Sequence, residues 1–217
     1  MQIKRADNLN RILFIYTVFG VAIAYMESAI VVYLRALYYP HGFSFPMKQI
    51  PMNMALIEIG REAMTIIVIW MISLIPFRAF KKQIALFMYI FGIWDIFYYF
   101  WLKVFINWPV HILNWDILFL IPVPWIGPCL SPVLVSAGLI LAALFILKYP
   151  GCFGKRLLNT WEWTVEIICA GIILATYVYQ AGSVLKGEVP VYYPWWLFLM
   201  GFIGGLLIFF RHFIKAK

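Results

Sequence analysis

Glu58, Arg61 and Glu62 stand in the middle of a run, Pro51 to Pro76, that is otherwise apolar enough to cross a bilayer. An ionisable side chain at the centre of a membrane helix costs about 2.5–3.5 kcal/mol even on a lenient insertion scale, so a Glu-x-x-Arg-Glu cluster there requires partners or a task. On a helix Glu58 and Glu62 are about 40° apart, and Arg61 lies about 60° to the other side of Glu58, so the three share one face. Glu27 and Asp95 repeat the anomaly in the neighbouring runs, and Asp116 opens a short apolar segment. Asp95 shares a helical face with Tyr98 and Tyr99, whose phenols can donate to it.

Charge counting narrows what such a cluster can do. Glu27, Glu58, Glu62, Asp95 and Asp116 face only Arg35 and Arg61, a deficit of three if every group is ionised. Either some carboxyls hold protons or a bound cation supplies the missing charge. Carboxylates in that condition suit acid–base chemistry and ion coupling. Glu58, Glu62, Asp95 and Asp116 are therefore the candidate catalytic or metal-ligating groups. Arg61 or Arg35 would hold an anionic head group, with Glu27, Tyr98 and Tyr99 completing the substrate-binding set. His41 and His111 fall on the outer loops, and His111 could serve as the single imidazole of a carboxylate-rich divalent-cation site, although no H-E-x-x-H spacing supports a metal. His41, His111 and His212 all fall outside the apolar runs, which disfavours an intramembrane haem held by two imidazoles.

A purely structural reading stays open beside this one. Ion pairs such as Glu58 with Arg35, or Glu27 with Arg61, can hold helices together in lipid, and Arg35 can snorkel to the interface. Glu162 and Glu166, at i and i+4, open the fifth run and complement a helix N-terminus there.

The elements that must position these residues follow from composition. Of 217 residues 65% are hydrophobic and 12% charged, with a mean hydropathy of +0.91. That excludes a soluble domain and fixes an integral membrane protein. The net charge of +8 is read as topology and lipid contact rather than nucleic-acid binding, because the basic residues lie mainly between apolar runs. Cys129, Cys152 and Cys169 follow no metal-ligand spacing, and a disulfide framework is not expected.

Runs of spanning length occur at 12–38, 52–76, 84–106, 129–147, 165–184 and 195–210, each near the roughly 20 residues that a bilayer core requires. The expectation is a single polytopic domain over 1–217, all-α, with six transmembrane helices. The segment 117–126 is too short to cross as a helix, and Pro122, Pro124, Pro128 and Pro132 interrupt it and its sequel. It reads as a re-entrant or interfacial segment.

An inner N-terminus puts Lys4, Arg5, Arg11, Arg78, Lys81, Lys82, Lys148, Lys155, Arg156, Arg211, Lys215 and Lys217 on the inner side. Only Arg35, Lys48, Lys103 and Lys186 fall on the outer side. Lysine and arginine concentrate in cytoplasmic loops, so both termini are expected in the cytoplasm. The first run is too long for a signal-peptide core and ends in Tyr38-Tyr39-Pro40, so it is expected to remain as an anchor. On this topology all the anomalous charges share the outer half of the bilayer. The expected setting is a multi-pass protein of a prokaryotic cytoplasmic membrane, in contact with lipid. Gly201, Gly204 and Gly205 form a small-residue face for a second helix, within the bundle or across a homodimer or larger complex.

Three function classes fit these readings: an enzyme acting on a lipid or amphipathic substrate from the outer leaflet, a proton- or cation-coupled transport protein, and a non-catalytic subunit of a membrane complex. The enzyme is preferred because the charges sit at one depth, whereas conduction needs polar groups at both.

Overall fold

The computed structural model describes residues 2–151 and 158–215, with side chains described between residues 8 and 211. Cys152, Lys155, Arg156 and Lys217 lie outside the described residues, as do the side chains of Lys4, Arg5, His212 and Lys215. The chain forms α1 (Gln2–Tyr38), α2 (Met52–Ser73), α3 (Phe80–Ile106), β1 (Trp115–Phe119), β2 (Trp125–Pro128), α4 (Leu130–Lys148), α5 (Thr160–Val178), the single turn α6 (Ala181–Leu185) and α7 (Trp195–Lys215). Four stretches are long and apolar enough to cross a membrane: Asn8–Tyr38, Phe80–Ile106, Leu130–Lys148 and Thr160–Leu185. Of the remaining two long helices, α2 carries the three ionisable residues and α7 offers a shorter apolar stretch, Trp195–Arg211. The fold is consistent with a multi-pass membrane protein.

Its outer surface supports the same conclusion. Large apolar side chains face outward along the bundle, among them Phe14, Met64, Ile67, Phe100 and Leu207. An exterior of this kind is stable against hydrocarbon and not against water.

The first four helices pack around α3, which lies between α1 and α4 and also supports α2. Ala24, Ile69, Ala85, Leu86, Ile90, Ala143 and Ile146 are fully buried where they meet. Because lipid removes the hydrophobic drive between helices, small residues and polar bridges fix the spacing. At Gly92 an added Cβ would lie 2.7 Å from both the Ser136 carbonyl oxygen and Ile140 Cγ1, so only glycine lets α3 and α4 approach this closely. Thr17 Oγ1 and Tyr89 OH bridge α1 and α3 at 2.7 Å. Ser28 Oγ donates to the Tyr98 carbonyl at 3.0 Å.

The all-helical expectation is corrected at the proline-rich segment. β1 and β2 form an antiparallel hairpin with Asp116 opposite Gly127 and an irregularity between Ile117 and Phe119. Pro122 and Pro124 rule out helix over the turn, and strand pairing gives the flanking amides the partners they would otherwise lack. The hairpin also joins the two parts of the bundle, since Trp115, Leu118 and Trp125 pack on a second core of Tyr177, Tyr193 and Phe198.

α7 lies along α5. The glycine face is used within the chain: a Cβ at Gly201 would meet the Cys169 carbonyl oxygen at 2.8 Å, and one at Gly204 would meet Cys169 Sγ at 3.1 Å. A dimer through this face would have to displace α5.

Candidate functional site

Two ion-pair groups form at one end of the bundle, where α1 ends, α2 begins, α3 ends and the hairpin leads into α4. In the first, the Arg61 guanidinium pairs with Glu27 through Nη1 and donates through Nε to Glu58 Oε2 at 2.8 Å. Thr65 Oγ1 donates to Glu27 as well. Arg61 and Glu58 are three residues apart on one helical face, and Glu27 reaches them from α1, so a single guanidinium serves two carboxylates. Glu27 and Glu58 are both buried.

In the second group, Arg35 Nη2 lies 3.0 Å from Asp116 Oδ1, with Arg35 8% and Asp116 2% exposed. The guanidinium carbon is 3.7 Å from the Trp108 ring centre and 4.6 Å from that of Phe43, and the two rings stand edge to face at 86°, so the cation sits in an aromatic corner. Such a corner suits arginine, whose delocalised charge is weakly hydrated and stacks on aromatic faces. Asn107, in the left-handed region at φ 52°, closes α3 and turns the chain so that Trp108 follows at once. Snorkelling is thus corrected for Arg35: it turns into the protein, because Asp116 and two rings await it there. The pair is monodentate, and it leaves Arg35 Nη1 and Asp116 Oδ2 buried without a hydrogen-bond partner. Complete burial pushes the Asp116 carboxyl up to about 6, against the pull of the Arg35 guanidinium.

With both arginines so engaged, Glu62 and Asp95 remain without a cation among the described residues. Glu62 Oε2 accepts from the Leu120 backbone N–H at 2.8 Å, which ties α2 to the hairpin turn. Asp95 Oδ2 accepts from Ser136 Oγ at 2.8 Å, across the approach that Gly92 permits. The expected phenol donation to Asp95 is corrected: Ser136 is the donor. Tyr99 is buried, with its ring centre 6.4 Å from that of Trp108, and Tyr98 meets it edge to face at 5.0 Å.

Several participants were not singled out in the sequence. Ser28, Thr65 and Ser136 are small hydroxyl residues in apolar runs, and their helical spacing from the carboxylates is the only signal they give. The amide of Leu120 and the aromatic corner of Phe43 and Trp108 belong to loops whose path no periodicity encodes.

Other candidates lie apart. His111 is exposed, its backbone N–H donating to Asn114 Oδ1 at 2.6 Å. Among the described residues no group of three His, Cys, Asp or Glu side chains comes together in a way that could hold a metal ion. Glu162 caps α5: its backbone N–H donates to Asn159 Oδ1, and its Oε2 accepts from the Asn159 N–H, both at 2.9 Å. That is the reciprocal capping box, and it agrees with the terminal role read for this residue. Glu166 departs from that role, because its carboxylate lies over Gly205 of α7 rather than at the helix end.

No protein-family model, curated protein or solved structure matches the chain.

Proposed function

We propose that the chain is a six-span enzyme of a prokaryotic cytoplasmic membrane that performs acid–base chemistry on a lipid or other amphipathic substrate in the outer half of the bilayer. One observation carries this reading: among the described residues two carboxylates, Glu62 and Asp95, have no ion-pair partner after both arginines of the cluster are taken. A carboxyl that can exchange a proton in a site shielded from water is what general acid–base catalysis requires. Glu62 and Asp95 are the acid–base pair in this reading. Arg35 Nη1 and Asp116 Oδ2 offer one unused donor and one unused acceptor to a polar head group. Glu27, Glu58 and Arg61 hold α2 in place. The apolar inner stretches of α2 and α3, 66–75 and 84–92, argue against a polar path through the bundle.

The crossings of α2 and α7 are part of the proposal. The 22 residues of α2 at about 1.5 Å rise each match a bilayer core of about 30 Å, and the apolar stretch of α7, Trp195–Arg211, comes slightly short of it. Lysine and arginine asymmetry puts both termini inside. A cysteine introduced at the exposed Ala79, between α2 and α3, is expected to resist a membrane-impermeant maleimide in intact cells and to react after permeabilisation. Labelling from outside would invert the topology and remove the outer-leaflet assignment.

The functional test uses Glu62→Gln and Asp95→Asn, which keep shape and much of the hydrogen bonding. Both are expected to purify in detergent at near wild-type yield and to lose activity by about 10²–10⁴, the range for a missing general acid or base. The readout is the lipid profile of the host by mass spectrometry, compared with cells lacking the chain. Wild-type profiles from both variants, or failure of both to fold, would leave the cluster as a scaffold.

A further inference from the structure

A cavity of about 250 Å³ opens at the other end of the bundle between α3 and α4 on one side and α5 and α7 on the other. Its walls are almost wholly apolar, with Leu139, Phe202 and Leu206 among them, and among the described residues Glu166 is the only charged one on them. Glu166 is half-buried, and among the described residues no basic side chain pairs with it. Gly205 opposite leaves the carboxylate its space, since a Cβ there would lie 3.1 Å from Glu166 Oε2. Trp163 lines the same cavity and stands three residues before Glu166, on the same face of α5. It is 41% exposed, which puts it at the cavity's edge.

We propose that this cavity binds a lipophilic organic cation, its ammonium resting between the Glu166 carboxylate and the Trp163 ring and its hydrocarbon lying along Leu139, Phe202 and Leu206. Charge decides the class of ligand. An isolated carboxylate in an apolar cavity repels an anion, and it gains far less from a neutral chain than from a cation that arrives with its own hydrocarbon cover. A tryptophan face beside a carboxylate is a fitting receptor for an alkylammonium, because the ring quadrupole attracts the cation while the acid neutralises it. The site shares no residue with the Arg35–Asp116 and Glu27–Arg61–Glu58 groups, and it holds or fails independently of the acid–base reading.

The test is equilibrium binding of radiolabelled dodecyltrimethylammonium to the full chain in nanodiscs, with empty nanodiscs subtracted and unlabelled dodecanol or dodecanoate as competitors. Saturable binding is expected, with dodecanol and dodecanoate at least about tenfold weaker as competitors than the unlabelled ammonium. Glu166→Gln should weaken ammonium binding by a similar factor or more while leaving the protein folded. Leu139→Trp, which fills the cavity, should abolish binding without touching the carboxylate. Three results would overturn the proposal: no saturable binding above empty nanodiscs, equal competition by dodecanol, or undiminished affinity in Glu166→Gln. The dodecanol comparison needs no variant and decides the matter even if a substituted protein does not fold.

Discussion

Arg61→Met should lower the unfolding free energy by about 3–5 kcal/mol, the loss typical when one member of a buried ion pair is removed. Among the described residues Arg61 is the only cation paired with Glu27 and Glu58, both buried, so its removal strands two carboxylates at once. The stranded groups must then take up protons or draw water between α1 and α2. The triple variant Glu27→Gln, Glu58→Gln, Arg61→Met carries no charge to strand and should regain most of the loss. Unfolding followed by tryptophan fluorescence during titration with an anionic detergent would measure both. A triple variant as unstable as Arg61→Met would show that shape at this junction, rather than charge balance, is what α1 and α2 require.

Arg35 should prove equally intolerant, by about 3 kcal/mol or more in Arg35→Met, because Asp116 is almost wholly enclosed and loses its one ion-pair partner. The informative variant is Arg35→Lys. It preserves the charge, yet an ammonium cannot stack in the corner of Phe43 and Trp108 as a guanidinium does or reach Asp116 with the same geometry. Lysine should therefore rescue little, whereas Arg35→Met combined with Asp116→Asn should recover much of the stability. Thermal unfolding in detergent, with Trp108 among the fluorescent reporters, distinguishes these cases. Wild-type behaviour of Arg35→Lys would mean that the aromatic corner contributes nothing.

The positions of the charges were legible because lipid makes them conspicuous. Glu27, Arg61 and Asp95 stand out in any hydropathy reading, and helical periodicity alone puts Glu58, Arg61 and Glu62 on one face. The Glu27–Arg61 pair follows from those two facts. Partner choice elsewhere was not legible, since it depends on how the loops return. For Arg35 the sequence shows only its closeness to the end of the run, which suits a head-group contact or snorkelling equally. Its burial depends on the turn at Asn107 and on the hairpin that carries Asp116 back towards α1. Asp95 was matched with its helical neighbours, and its partner proved to be Ser136, one of many hydroxyls in apolar runs.

The hairpin itself was half legible. Its prolines excluded a helix, but the Trp115–Pro128 register has no clear alternation to announce two strands. The glycines divide in the same way. Gly201, Gly204 and Gly205 drew notice as a cluster. Gly92 is as important to the packing of α3 against α4 and stands alone among large residues.

The ion triad of Glu27, Glu58 and Arg61 also bears on how the chain enters its membrane. By the usual insertion costs α2 on its own carries three residues of roughly 2.5–3.5 kcal/mol each, a heavy burden for a helix that must leave an aqueous channel for lipid. Beside α1 the burden falls, because Glu27 from the first helix meets Arg61 from the second while Glu58 pairs within its own helix. The smallest piece that brings α2 comfortably into a bilayer is therefore its hairpin with α1, joined by the loop 39–51.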